Sequence, residues 1–179
     1  MKKSLNVKDM VITALLIAFG IIIPTMFSGL RVYIPPFSAT LTAHVPVFVA
    51  MFISPTSAIF TSIGTTVGFI FAGLDPAVTA RAFSHIIFAI VGSFMIKKGV
   101  SIVLTGVVTM ILHAVFEALV SLLFLSAGWS VSNSNMFYIA FYVTGIGTLI
   151  HHIIDYIIAI ILVTALSKAK AIKQLPRFF

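Results

Sequence analysis

Long apolar runs, separated by short polar or proline-containing turns, dominate the pattern of this chain. Six runs approach the about 20 residues that an α-helix needs to cross a bilayer. They cover residues 8–27, 40–53, 56–73, 76–96, 100–127 and 136–167. The pattern predicts an all-α integral membrane protein in which one domain, residues 1–179, forms a bundle of six transmembrane helices.

Composition excludes the common soluble classes. Of the 179 residues, 60% are hydrophobic, 8% are charged and none is cysteine, whereas a soluble domain is about 45–50% apolar and about 25% charged. So few charges cannot cover a water-facing surface, which excludes a soluble enzyme and a disordered chain. The lack of cysteine excludes a disulfide-stapled domain, thiol catalysis and cysteine-ligated metal.

The net charge of +7 comes from basic residues that flank the apolar runs. They lie at the N-terminus, in one short loop and in the tail: Lys2, Lys3, Lys8, Lys97, Lys98, Lys168, Lys170, Lys173 and Arg177. This placement follows the positive-inside rule and does not resemble a nucleic-acid-binding face. It predicts that both termini are cytoplasmic. The first apolar run is also too long for a cleavable signal peptide, so none is predicted.

Pairs of small residues four positions apart occur on three predicted helices. They are Ala14 and Ala18, Gly64 and Gly68, and Ala114 and Ala118. In lipid such spacing allows two helices to approach closely, so the plainest interpretation is packing inside this bundle.

Several segments together indicate a family. They are Leu5–Met10, Ala14–Ala18 with its Ala-x-x-x-Ala spacing, His44–Pro55, Gly64–Phe69 and Arg81–His85. Through them, nearly the whole chain resembles the substrate-binding S-components of energy-coupling factor (ECF) vitamin transporters of bacterial cell membranes. The resemblance implies that Ala14 and Ala18 dock on a coupling transmembrane subunit, which is driven by two ATPase subunits. It also implies that the first outer loop, 28–39, is a moving lid.

Charged side chains inside predicted helices need a partner or a function, since each costs at least about 2.5–3.5 kcal/mol in hydrocarbon. Arg81 lies near the outer end of the fourth helix, with His85 one turn deeper on the same face. A guanidinium with an imidazole beneath it would bind a carboxylate or a heteroaromatic ring. Alternatively, Arg81 reaches the outer interface or pairs with Glu117 or Asp75. His44 is placed to face the same cavity.

Aromatic and amide side chains cluster at the outer end of the last two helices. They are Trp129, Asn133, Asn135, Tyr138 and Tyr142. They could close over a small polar ring by stacking and hydrogen bonding, or they could form an interfacial aromatic belt.

The remaining ionisable residues have two interpretations. His113 and Glu117, four apart on the fifth helix, form either a buried structural pair or a proton relay. His151-His152-x-x-Asp155 has a spacing that a metal could use, but adjacent histidines point about 100° apart on a helix. Depth counting also places them in the cytoplasmic half, away from an outward-facing site. We therefore expect no metal and no cofactor.

These observations favour a non-enzymatic subunit that captures a vitamin or vitamin precursor outside the cell. The resemblance is nearest to S-components for small pyridine- or pyrimidine-type vitamins and implies niacin first; Arg81 and His85 would suit this ring, which bears a carboxylate. Pyridoxine, hydroxymethylpyrimidine and cobalamin are the other candidates. No Gly-rich nucleotide-binding loop occurs, so a partner must hydrolyse ATP. The alternative is a standalone proton-coupled carrier that uses Glu117 and His113. An intramembrane enzyme is disfavoured because no recognised catalytic spacing is present.

Overall fold

The structure, a computed structural model, describes residues 6–34, 37–129 and 135–172. Most of these residues are helical, and a small β-hairpin connects the first two α-helices. The elements are α1 (Val7–Met26), a single 3₁₀ turn (Ser28–Leu30), β1 (Arg31–Ile34), β2 (Phe37–Thr40), α2 (Val45–Met51), α3 (Pro55–Phe71), α4 (Pro76–Lys97), α5 (Ile102–Ser126), a π-helical segment (Tyr138–Ile146) and α6 (Gly147–Lys168).

Four helical segments of the described residues are long and apolar enough to cross a membrane. They are α1, α4, α5 and the continuous segment Tyr138–Lys168. The shorter α3 is an apolar helix of 17 residues, which is at the lower limit for a spanning helix. Mostly helical structure with several membrane-capable helices agrees with the predicted class of all-α membrane protein.

The second predicted span, 40–53, is helical only from Val45 to Met51. Pro46 occupies the first turn of α2, where a missing N–H costs nothing, and it prevents the helix from extending towards the N-terminus. Residues 41–44 instead form a turn in which Thr42 has a positive φ of 69°. All seven residues of α2 are buried, so this short helix forms the centre of the bundle. Its neighbours in the main apolar core include Phe88 on α4 and Tyr156 on α6.

The first outer loop contains secondary structure that the sequence pattern does not predict. β1 and β2 form an antiparallel hairpin, with Arg31 opposite Thr40 and Ile34 opposite Phe37. The side chains of β2 are mostly buried, whereas those of β1 are mostly exposed. The hairpin therefore covers the interior of the bundle with one of its two strands.

The beginning of α1 and the end of the chain's last helix lie at the same end of the bundle. The Lys8 ammonium donates a hydrogen bond to the backbone carbonyl of Lys170, at 2.5 Å. The N-terminal end of α1 and the C-terminal end of α6 are therefore close together.

Glycines produce the close packing between α1 and α3. A Cβ added at Gly68 would lie 2.6 Å from the backbone oxygen of Gly20 and 2.7 Å from Cα of Ile21. One added at Gly64 would lie 2.7 Å from a methyl group of Ile17. The predicted role of Gly64 and Gly68 in internal packing is therefore confirmed.

The two alanine pairs differ in their surroundings. Ala114 and Ala118 on α5 are buried within the bundle, which confirms internal packing for this pair. Ala14 and Ala18 are exposed on α1, on a helix whose opposite side contacts α3. Internal packing therefore does not account for Ala14 and Ala18.

We predict that Gly68→Val lowers the stability of the protein by at least about 1–3 kcal/mol, because overpacking forces backbone atoms apart. The measurement is the melting temperature of the purified protein in detergent. Gly29→Ala is the matched control, since nothing lies within 4 Å of a Cβ placed there. Equal melting temperatures for Gly68→Val and the unsubstituted protein would contradict close α1–α3 packing.

Candidate functional site

All five histidines of the chain are buried, and they lie near one another in the middle of the bundle. Arg81, Glu117 and Asp155 are buried among them. We call these eight residues the interior polar cluster: His44, Arg81, His85, His113, Glu117, His151, His152 and Asp155. Its members come from the turn before α2 and from α4, α5 and α6.

Glu117 connects three helices within the interior polar cluster. Its Oε2 accepts hydrogen bonds from Arg81 Nη2 of α4, at 2.8 Å, and from the hydroxyl of Thr148 of α6, at 2.5 Å. Its Oε1 lies 3.0 Å from Nε2 of His85 and 3.5 Å from Nε2 of His113. A buried charge is tolerable only when it is paired and hydrogen-bonded, and Glu117 meets both conditions.

Asp155 stabilises the turn that precedes α2. Its Oδ1 accepts from the backbone N–H of Thr42 at 2.8 Å, and its Oδ2 accepts from the backbone N–H of His44 at 3.0 Å. The same Oδ2 lies 3.2 Å from Nδ1 of the His44 ring. Because backbone groups cannot stay unpaired in an apolar interior, this carboxylate allows the chain to turn there and fixes the orientation of His44.

A small cavity lies between the interior polar cluster and the hairpin. Its lining includes Arg81, His85 and His44 together with Phe37, Ser38 and Thr40 of β2. Arg81 Nη2 donates to the backbone carbonyl of Ser38 at 3.4 Å, and its guanidinium lies 5.7 Å from the centre of the Phe37 ring. The hairpin thus covers the guanidinium that the sequence indicates as a ligand-binding group.

The Phe37 ring is close to α6 because residue 147 has no side chain. A Cβ built on Gly147 would lie 2.8 Å from a ring carbon of Phe37. This glycine therefore allows β2 to approach the interior polar cluster.

Three of the predicted substrate-binding residues, Arg81, His85 and His44, come together at this cavity. His44 and His85 face each other through their Nε2 atoms at 3.3 Å. Arg81 also makes the ion pair with Glu117 that the sequence offers as an alternative. A role of these three residues in ligand binding stays a prediction.

Trp129, Asn135, Tyr138 and Tyr142 do not line this cavity. The indole N–H of Trp129 donates to the carboxylate of Asp75, at 2.9 and 3.0 Å to its two oxygens. The Asn135 side chain accepts from the backbone N–H of Phe137 at 2.9 Å, which caps the following helical segment. Tyr138 and Tyr142 are exposed and stack on each other with ring centroids 5.3 Å apart, and Asn133 lies outside the described residues.

The expectation from depth counting that His151, His152 and Asp155 lie away from the other predicted site residues is wrong. The ring centroid of His151 lies 4.6 Å from that of His44, and Asp155 binds the His44 backbone. The continuous helical segment Tyr138–Lys168 has 31 residues, well beyond the about 20 that a bilayer requires. Counted from the start of a span of about 20 residues, these three residues would lie near its far end. In a segment of 31 residues they lie at the middle.

Sequence reasoning leaves His113 and Glu117 as either a structural pair or a proton relay and assigns no ligand role to His151 or Asp155. It does not identify Phe37, Ser38 or Thr148 as cavity or cluster residues. The sequence could have identified only the ionisable residues among these, since an ionisable residue inside a membrane helix is by default a functional candidate. Nothing in the chain's pattern identifies which loop residues will cover the interior.

Comparisons with known proteins identify a transporter relative. The chain matches no protein-family model and no solved structure. It is 36% identical, over 174 residues, to the niacin transporter NiaX of Lactococcus lactis subsp. cremoris (strain MG1363). The match covers 93% of this chain and 78% of that transporter.

This similarity supports transport and not enzymatic catalysis, and with the long apolar helices it supports a multi-pass protein of a bacterial membrane. At this identity over most of both chains, the chain belongs to the family of this niacin transporter, the niacin-type S-components of ECF transporters.

Proposed function

We propose that this chain is the substrate-capture S-component of an ATP-driven ECF importer and that its ligand is niacin. The observation that carries this proposal is the buried guanidinium of Arg81 beneath the hairpin, in a chain 36% identical to a niacin transporter. Niacin is a pyridine ring with a carboxylate, and a guanidinium binds carboxylates by charge-assisted hydrogen bonds.

In this proposal the hairpin is the lid of the binding site. Arg81 presently contacts the Ser38 carbonyl and the Phe37 ring. A carboxylate offers stronger acceptors than a carbonyl, and an aromatic ligand offers a ring in place of Phe37. Niacin would therefore displace the two hairpin residues from Arg81, which requires the hairpin to move.

The proposed topology has six crossings with both termini in the cytoplasm. The contact between Lys8 and Lys170 supports an even number of crossings, and the lysines at both ends and in the α4–α5 loop support their cytoplasmic location. The hairpin, the turn after β2 and α2 together form the second crossing, with backbone groups of the turn bound by Asp155.

The proposed partners are a coupling transmembrane subunit and two ATPase subunits. The exposed pair Ala14 and Ala18 would form the docking face, since small residues let a partner helix approach closely. Exposed apolar side chains surround this pair, among them Met10, Leu15 and Ile22. The membrane lipid is the other neighbour of this surface.

A second candidate is a standalone proton-coupled carrier. The contact between His113 and Glu117, and the further contact of His113 Nδ1 with His152 Nδ1 at 3.0 Å, favour it. Such a carrier would transport niacin without ATP and without partner subunits.

We predict that Arg81→Gln weakens binding of nicotinate by about 10- to 100-fold, the effect of losing a charged hydrogen bond worth about 1.5–3 kcal/mol. The neutral analogue nicotinamide should lose far less affinity. The measurement is calorimetric titration of the purified subunit with each compound. Lys98→Gln, which removes a remote exposed cation, is the control, and equal losses for both ligands would make the role of Arg81 structural.

We predict that Ala14→Trp and Ala18→Trp abolish uptake of radiolabelled nicotinate by cells that contain the partner subunits, yet leave binding by the isolated subunit intact. Ala165→Trp is the matched control, because Ala165 is an exposed alanine on α6. Loss of binding in the Ala14 and Ala18 variants would show that these alanines hold the bundle together. Undiminished uptake by the isolated subunit in vesicles without ATP would favour the carrier.

Single cysteines test the topology, because the chain contains none of its own. We predict that Gly29→Cys reacts with a membrane-impermeant maleimide added to intact cells, and that Lys98→Cys reacts only after the membrane is opened. The reverse pattern, or reaction of both cysteines in intact cells, would contradict cytoplasmic termini.

A further inference from the structure

We infer that the interior polar cluster holds a divalent transition-metal ion, of the Zn²⁺ type, between His44, His85, His113 and Glu117. One nitrogen from each of the three imidazoles and one oxygen of the carboxylate lie within 4.8 Å of one another. All four residues are buried. The proposed metal site does not depend on which ligand the protein transports.

Three of the six distances between these four atoms are close to those of tetrahedral coordination. His44 Nε2 and His85 Nε2 are 3.3 Å apart, His85 Nε2 and Glu117 Oε1 are 3.0 Å apart, and His113 Nε2 and Glu117 Oε1 are 3.5 Å apart. Ligands about 2.0–2.1 Å from a tetrahedral Zn²⁺ are separated from each other by about 3.3–3.4 Å. Three imidazoles and one carboxylate are also donors that suit Zn²⁺ and not Mg²⁺ or Ca²⁺.

One arrangement of the ring hydrogens leaves Nε2 of His113 with a lone pair. In this arrangement the hydroxyl of Thr109 donates to the carbonyl of Thr105 at 2.8 Å and accepts from Nε2–H of His152, 3.3 Å away. The Nδ1 of His152 then carries a lone pair and accepts from Nδ1–H of His113 at 3.0 Å. The Nε2 of His113 is left with a lone pair that points towards the Glu117 carboxylate.

The hydrogen on His44 is fixed in a similar way. Its Nδ1 faces the carboxylate of Asp155 at 3.2 Å and must donate to it, which leaves a lone pair on Nε2. The same pairing of carboxylate and histidine orients the imidazole ligands of many metal sites. Asp155 is itself held by two backbone N–H groups.

In this arrangement the four facing atoms share too few hydrogens to pair with one another. With neutral histidines and an ionised carboxylate, the Nε2 atoms of His44 and His113 and Oε1 of Glu117 are all acceptors. The His85 ring has one N–H, which can serve only one of its two neighbours. Nε2 of His113 makes no hydrogen bond with any described residue. A metal ion at the centre of these atoms would satisfy every lone pair at once.

The metal also changes the charge that an anionic ligand meets. Without it, one guanidinium and two carboxylates leave the interior polar cluster with one net negative charge when the histidines are neutral, which repels a carboxylate. A divalent ion would give the cluster one net positive charge. This consequence rests on the proposed function: nicotinate should bind more tightly to the metal-loaded subunit than to the metal-free subunit.

Cobalt(II) is a direct probe of the site, because tetrahedral Co²⁺ has far stronger visible absorption bands than octahedral Co²⁺. Tag-free full-length protein in detergent would be stripped with a chelator, dialysed and titrated with Co²⁺. We expect one equivalent to give the tetrahedral spectrum and Zn²⁺ to abolish it. His113→Gln and Glu117→Gln should lose the spectrum, whereas His151→Gln, which removes a buried histidine outside the four ligands, should keep it.

Three results would overturn the assignment. The first is a folded protein, judged by circular dichroism and melting, that gives no tetrahedral spectrum. The second is a spectrum that persists in both the His113 and Glu117 variants. The third is a spectrum lost only with His151→Gln, which would place the ion among His44, His151 and Asp155. Calorimetry with nicotinate distinguishes this failure from that of the proposed function, since nicotinate binding by metal-free protein would leave the capture role intact.

Discussion

The apolar interior of this bundle cannot leave a charge or a backbone N–H unpaired, and two carboxylates meet that constraint. Asp155 accepts the backbone N–H groups of Thr42 and His44, so the chain can turn in the middle of the bundle before α2 begins. Glu117 joins Arg81 of α4 to Thr148 of α6. The short central helix, the hairpin above it and the convergence of α4, α5 and α6 all depend on these pairings.

Much of the fold is predictable from the sequence because it depends on local chemistry. The bounds of α1, α3, α4 and α5 follow from runs of apolar residues and from the residues that separate these runs. Pro55, Asp75 and Ser101, for example, stand at the starts of α3, α4 and α5. The packing of Gly64 and Gly68 follows from their spacing. The turn at residues 41–44 is not predictable in this way, since its backbone partner Asp155 lies more than a hundred residues away.

The sequence predicts that some of the charged and imidazole side chains belong to the site, but it does not predict how they are arranged. The cost of burying Arg81, His85 and His44 is enough to indicate a function or a partner. Which partner each one takes depends on how deep each helix lies, and apolar runs do not determine depth. Trp129 is predicted from the sequence to bind the ligand, but its indole N–H donates to the Asp75 carboxylate. That pairing joins two loops distant in sequence, so the sequence pattern does not reveal it.

One glycine on α6 has a consequence for ligand size. Because Gly147 lacks a side chain, the Phe37 ring rests against α6 and β2 settles close to Arg81. The height of the hairpin over the guanidinium is therefore set by the volume of residue 147. In the proposed function any cargo has to lift the Phe37 ring off this contact to reach Arg81, and a bulkier residue 147, which would hold the ring away from α6, would leave a wider space over the guanidinium.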